Sequence, residues 1–258
     1  VATPALLPRT DEGRRQRRRP LNRGRRAFLG GAVAAAGGWF IASSPLGMWP
    51  DVGSLRADFR TATGERRDLR IADVDVAMGA RTRLSRVRGN ALELEEGEAQ
   101  FTLPAQTTAP FALQVQGAHV LPASGARVDI RCVGQDVRVS CLQGAVDIRL
   151  GQRHVHLQPG WQARLQGTRI AAVAPVPRER VDAWRQGWLV FDDQPLTQVV
   201  EEINRYRPGR VMIAGRELAQ RRVQARIPLD RIDSIIQLVR DAYGARVLRM
   251  PGGVVVLG

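Results

Sequence analysis

The 258 residues carry a formal net charge of +14, with 44% apolar and only 5% aromatic residues, which suits two small cores better than one large one. Nine arginines against Asp11 and Glu12 put +7 of that charge into the first 26 residues. No zinc finger, recognition-helix signature or RNP-like aromatic motif accompanies the charge, so no nucleic acid is expected as a partner.

Residues 1–26 lack apolar periodicity, contain Pro4, Pro8 and Pro20 and carry like charges, which predicts a basic cytoplasmic tail rather than a packed domain. From Ala27 to Pro50 no charged side chain occurs. As a helix that stretch reaches about 36 Å, against roughly 30 Å of bilayer hydrocarbon. A transmembrane helix over 27–49 is expected, and the arginines before it hold that end in the cytoplasm. Arg25 and Arg26, followed by Phe28 and Leu29, resemble a twin-arginine export signal; the alternative is a basic pair that serves topology alone. Small residues at Ala42, Ser43 and Ser44 would allow processing, but Pro45 disfavours cleavage there. The expectation is a retained single-pass anchor of a bacterial inner membrane, with the larger C-terminal part in the periplasm.

Residues 50–174 change to short alternating runs, the mark of strands. Leu92, Leu94, Gly97, Ala99, Phe101 and Leu103 form one unit, and Val137, Val139, Cys141, Gly144, Val146, Ile148 and Leu150 a close copy. Each reads as strand, glycine turn, strand, with Glu93, Glu95, Arg138 and Arg149 toward solvent. Such units suit a sandwich or a short β-solenoid. A two-residue turn at Gly134 and Gln135 would set Cys132 opposite Val137 and Cys141 opposite Val128, too far apart to bond; two buried free thiols or a disulfide both remain open. His154 and His156 share a face of one strand, but no further ligand cluster is legible, and His119 stands alone, so no metal is expected. No phosphate loop, nucleophile elbow or catalytic carboxylate pair occurs, so neither catalytic residues nor cofactors are expected, and a binding protein is.

After the Ala174-Pro175-Val176-Pro177 hinge, residues 183–258 read as a small α+β module. Ala183 to Gly187 form a helix end or turn before a strand through Phe191. Asp193 is placed as the cap of a helix with Pro195 in its first turn, and Leu196, Val199, Val200 and Ile203 mark its core face. Val211–Ala214 and Val223–Ile227 read as strands. Asp230 is placed at the start of a second helix that buries Ile232, Ile235, Ile236 and Val239 and ends at Gly244. Ala245–Met250 and Val254–Leu257 close the chain as strands around Pro251-Gly252-Gly253. The order is βαβ, then βαββ, and the whole is mainly β with a C-terminal α+β module behind one membrane helix.

Several of these stretches resemble the FecR family of membrane-anchored anti-sigma regulators: Phe59-Arg60-Thr61-Ala62-Thr63-Gly64-Glu65-Arg66-Arg67, Leu94-Glu95-Glu96-Gly97-Glu98-Ala99-Gln100-Phe101, Pro110-Phe111, and Val139-Ser140-Cys141-Leu142-Gln143-Gly144-Ala145-Val146. Ala183-Trp184 with Gly187, Leu189 and Phe191, then Pro195-Leu196, Val199-Val200 and Ile203-Asn204-Arg205-Tyr206, is similar to the family's lead into its last module. That module is similar to the secretin and TonB short N-terminal fold. The resemblance implies a non-enzymatic relay from an outer-membrane TonB-dependent transporter, concerned with iron uptake, to an extracytoplasmic-function sigma factor, with site-specific envelope proteases as further partners. Trp184, Trp188 and Tyr206 are candidate anchors for the transporter's signalling domain, core packing being the alternative for each. Two departures accompany it. The usual aspartate-glycine-serine turn is replaced near Ala72-Asp73-Val74-Asp75, and residues 1–26 are shorter than the family's sigma-binding domain. A structural envelope module that sends no signal is the alternative reading. Some family members cleave themselves at a glycine-threonine pair; here Gly125 is followed by Ala126, which lacks the hydroxyl nucleophile, so an intact chain is expected.

Overall fold

The computed structural model describes residues 57–106 and 110–258, all within one compact unit that starts at Val52. The basic tail, the membrane segment and the Arg25, Arg26, Phe28 and Leu29 signal lie outside the described residues. Among the described residues no helix is long and apolar enough to cross a membrane.

Thirteen strands come first: β1 Phe59–Arg60, β2 Arg67–Ile71, β3 Val74–Met78, β4 Arg83–Val87, β5 Ala91–Thr102, β6 Ala112–Val115, β7 Ala118–Pro122, β8 Arg127–Val133, β9 Asp136–Gln143, β10 Val146–Leu150, β11 Arg153–Leu157, β12 Trp161–Gln166 and β13 Arg169–Pro175. They form two sheets that share β5, ordered β1-β4-β5-β6-β7-β10-β11 and β2-β3-β5-β8-β9-β12-β13. All neighbours are antiparallel except β5 and β6. Alternate residues of both sheets, including Leu94, Phe101, Leu113, Ile130, Val139, Ile148 and Leu157, meet in one core. Of the two architectures left open above, this is the sandwich.

The two units expected to be hairpins are corners instead. β5 runs unbroken for 12 residues. Its inward parity changes between Leu94 and Ala99 because β4 skips a partner, with Leu84 opposite Leu94 and Arg83 opposite Glu96. A β-bulge of this kind bends a strand from one sheet into the next. Gly97 sits at the bend with φ +102°, where a Cβ would lie 2.3 Å from Thr82 Oγ1. In the second unit β9 pairs with β8 and β12, whereas β10 pairs with β7 and β11. Gly144, φ +74°, turns the chain between the sheets.

Other local expectations have their outcome here. Ile71 pairs with Val74, so Ala72 and Asp73 make a two-residue hairpin turn with Ala72 at φ +50°. Cys132 faces Val137 and Cys141 faces Val128, and both thiols are free and buried. Burial pushes the Cys132 thiol up to about 11, so the reactive thiolate is scarce at neutral pH. Ala126 is fully buried just before β8.

Downstream come α1 Arg178–Val181, a 3-10 turn Ala183–Gln186, β14 Trp188–Pro195, α2 Leu196–Tyr206, β15 Val211–Ile213, α3 Arg216–Gln220, β16 Arg222–Pro228, α4 Ser234–Tyr243, β17 Val247–Met250 and β18 Val254–Leu257. β14 pairs with β16, while β15, β18 and β17 form a three-stranded sheet. The apolar stripes of α2 (Leu196, Val199, Ile203) and α4 (Ile235, Ile236, Val239) fill a second core. Asp193 does not cap α2. It adopts φ +46° where the β14–β16 register shifts between Phe191 and Gln194, and Pro195 occupies the cap position. Asp230 lies in a 3-10 turn, Leu229–Arg231, and α4 starts after Asp233. An Asp before an apolar run marks a turn or a cap equally well, since its carboxylate satisfies backbone donors in either.

Candidate functional site

The outer face of the second sheet carries polar residues in two adjacent rows. Glu98, Arg131, Arg138 and Arg164 are register partners across β5, β8, β9 and β12, and so are Gln100, Asp129, Ser140 and Gln162. A polar outer face ordinarily belongs to water. Here Glu98, Gln100, Asp129 and Ser140 are at most 7% exposed, because the C-terminal elements lie over them. Ala77 and Ala80 of the sandwich join the second core beside Trp184 and Tyr206.

Ion pairs and hydrogen bonds hold that cover in place. Arg131 pairs with Glu98 at 3.2 Å and with Glu202 of α2. Arg205 reaches Glu202 at 3.1 Å and Glu98 at 3.5 Å, and donates to the Ala80 carbonyl at 2.7 Å. Gln100 donates to Asp182 at 3.0 Å and accepts from Arg185 at 2.7 Å. From the loop after β1, Arg66 donates to the Trp184 carbonyl at 2.7 Å, and the Gly64 amide to the Arg205 carbonyl at 3.0 Å. Buried charge pairs of this kind add little net stability over an apolar contact, but removing one partner leaves the other buried and uncompensated. The junction therefore ties the module to the sandwich through charges that depend on one another.

The carboxylates divide by the charges they meet. Burial alone would raise the Glu202 pKa, but the Arg131 and Arg205 guanidiniums overcome it and hold the group at about 2. Burial wins at Glu98, whose carboxyl is raised despite the same two arginines. At Asp129 burial, reinforced by Glu98 and Asp182, pushes the carboxyl well above its ordinary range. The Trp184 indole N–H acts on Asp129 without completing a hydrogen bond, so Asp129 Oδ2 and Trp184 Nε1 are buried and unpartnered.

The pH dependence follows from these directions. With a folded pKa of about 2 against 4.5 for a free glutamate, Glu202 contributes fully above pH 4.5, and the contribution is lost as pH falls toward 2. Asp129 and Glu98 have raised folded pKa values, so their ionised forms cost stability at neutral pH, a cost relieved as pH falls toward 3.8 and 4.5. Thermal melts between pH 8 and pH 3 are expected to show the melting temperature rising on mild acidification and falling again below about pH 4. Asp129→Asn should flatten the rise, and a rise of equal size in that variant would place its origin elsewhere.

Of the candidate anchors, Trp184 and Tyr206 are 3% and 5% exposed; they pack inside the junction and offer no surface in this structure. Trp188 is half-buried under Arg226, 4.6 Å from its ring. His154 and His156 both meet Asp147 Oδ1 at 3.0 Å on the surface, and no group of side chains suited to a metal ion occurs among the described residues. Arg138, expected in solvent, lies against Asp136 at 2.7 Å. It lines a cleft of about 190 Å³ between the sheet face, α1, β14 and α2. The junction residues escaped the sequence reading because alternation identifies an outer face without saying what covers it. The available signal was Glu202 and Arg205, which flank Ile203 on an otherwise apolar side of α2.

Three comparisons bear on identity. The family described as FecR protein matches residues 57–147. Two crystal structures of a candidate anti-sigma factor from Parabacteroides distasonis ATCC 8503, at 1.65 and 2.50 Å resolution, are each 19% identical to this chain, with TM-scores of 0.67 and 0.66. They cover 78% and 77% of this chain and 97% and 96% of their own, and so share its fold. No curated protein matches the sequence. Residues 57–147 are a FecR domain.

Proposed function

We propose that this protein is a non-enzymatic anti-sigma regulator anchored once in the inner membrane, with the sandwich and the C-terminal module in the periplasm. It relays occupancy of a TonB-dependent outer-membrane transporter to a cytoplasmic sigma factor. The observation that carries this reading is the pairing of a buried, ion-paired junction with an exposed apolar face. On the outer side of the three-stranded sheet Met212 and Leu248 flank Val256, and Met212, Leu248 and Met250 are 39%, 61% and 49% exposed. An apolar face of this kind on a small module suits a protein partner, and the edges of β15 and β17, each paired only with β18 among the described residues, suit strand addition. The transporter's signalling domain docks there. The buried ion pairs pass the load to the sandwich, and an altered sandwich exposes the chain to envelope proteases that release the cytoplasmic segment.

The test is capture of the cognate transporter's N-terminal domain by the full chain. Retention is expected, and Leu248→Glu should weaken it about tenfold or more by setting a charge in the apolar contact, with the melting temperature unchanged because Leu248 is exposed. No retention by the folded chain would remove the transporter from the scheme.

A further inference from the structure

We propose that the cleft between the sandwich and the C-terminal module receives an extended peptide segment of a partner protein, carrying one basic and one acidic side chain, which adds as a strand to the open edge of β14. This goes beyond the regulator reading and does not depend on it. β14 pairs with β16 and with no other strand among the described residues. The Leu229 amide donates to the Gly187 carbonyl at 2.8 Å, and these two residues continue the register in which Trp188 faces Pro228 and Val190 faces Arg226. Bonded and non-bonded pairs alternate along an antiparallel ladder. Leu189 and Phe191 therefore direct their main-chain groups to β16, while the N–H and C=O of Trp188 and Val190 point to the opposite edge. Leu189, Val190 and Phe191 all line the cleft. Successive side chains of a strand leave on opposite faces, so three in a row border one space when the strand turns its edge to it.

The walls suit a main chain better than a single charge. Five carboxylates and four arginines line the cleft, and most are already satisfied: Arg131 pairs with Glu98 and Glu202, and Arg138 and Arg164 pair with Asp136. Such a lining favours neither an anion nor a cation. Of the rest, Asp129 is only 2% exposed, whereas Glu201 of α2 is exposed and Arg180 of α1 half-buried. Neither Glu201 nor Arg180 has an ion pair among the described residues, so a segment with one basic and one acidic side chain finds a partner for each. The register shift between Phe191 and Gln194 ends the usable edge, as a bulge stops further pairing. The volume of about 190 Å³ falls below the roughly 300–1,000 Å³ of sites for drug-sized molecules, so only a few residues of the guest are enclosed. A seated strand touches β14 and α2 of the module and the sheet face of the sandwich together.

The experiment is calorimetric titration of the full chain with two blocked pentapeptides, acetyl-Lys-Thr-Val-Thr-Glu-amide and its reverse, acetyl-Glu-Thr-Val-Thr-Lys-amide, whose β-branched centres favour an extended chain. Saturable binding of at least one is expected, the two orders covering both strand directions. In the peptide that binds, N-methylation of the central valine and of a neighbouring threonine should differ in effect. Alternate amides face the neighbouring strand, so one methyl group abolishes binding and the other leaves it nearly unchanged. Val190→Pro removes the donor at the open edge, where proline is tolerated because β16 does not use that N–H, and should weaken binding about fivefold to tenfold with the far-UV spectrum unchanged. Leu248→Glu should bind the peptide as the natural chain does, so this site and the transporter face stand or fall separately. No saturable binding of either peptide, equal affinity for the parent and both N-methylated forms, or unchanged affinity in Val190→Pro would each overturn the proposal. A dimer of the chain that the peptide dissociates would assign the edge to a second copy and overturn the partner. If proline at position 190 unsettles the fold, the methylated peptides decide the matter on the natural chain.

Discussion

Replacing Arg205 by methionine is expected to destabilise the folded chain by about 3–5 kcal/mol, the usual cost of removing one partner from a buried charge network. The Arg205 side chain is only 6% exposed. Its guanidinium serves Glu202, Glu98 and the carbonyl of the fully buried Ala80 together. Without it two buried carboxylates share Arg131, and a buried carbonyl loses a donor. Arg205→Lys should recover part of the loss, since an ammonium restores the charge but cannot span three acceptors as the planar fork does. Adding Glu202→Met to Arg205→Met should recover stability as well, because it removes a charge that the first change left uncompensated. Urea denaturation of the full chain, followed by tryptophan fluorescence, measures all three. A midpoint unchanged in Arg205→Met would mean that the module is held by its apolar contacts alone.

Gly97→Ala should be comparably severe, about 4 kcal/mol from backbone strain and overpacking together. The φ of +102° is one that an L side chain rarely adopts, and the new methyl would lie 2.3 Å from Thr82 Oγ1 and 2.5 Å from Thr82 Cα. Thr82 has little room to yield. Its hydroxyl donates to the Glu98 carbonyl and accepts from the Glu98 amide, both at 3.1 Å, and its amide donates to Thr61 Oγ1 at 2.9 Å. The bend that Gly97 permits also aims the next residue, Glu98, into the junction, so the change should loosen the module together with the sandwich. Gly117→Ala is the control: φ is +79° but nothing lies within 4 Å of the added methyl, and only the conformational cost of about 1–2 kcal/mol should remain. Melting temperatures and soluble yields of the two variants separate steric overlap from backbone preference.

Local patterns in the sequence determined the strands, the core faces of α2 and α4 and the cysteine register. Two-residue alternation and 3.6-residue periodicity are each set by the geometry of a single element, and a two-residue turn carries its own register. The Gly134-Gln135 turn is the clearest case, since it placed Cys132 and Cys141 correctly across β8 and β9. The stretches that resembled the FecR family also lay in plain view, and those between Phe59 and Val146 fall inside the matched segment 57–147. Only the tertiary structure decided what a glycine between two alternating runs does. At Gly97 and Gly144 the choice between hairpin and corner depends on whether the flanking strands find each other or two different sheets, and those partners are remote in sequence. The same holds for the polar rows from Glu98 to Arg164 and from Gln100 to Gln162. Taken alone they belong in water, and they become a junction because Glu202 and Arg205 arrive from α2 with the charges that Glu98 and Arg131 require. Trp184 and Tyr206 show the reverse case, for an aromatic residue suits a partner's surface or a core equally well until the elements packed around it are known.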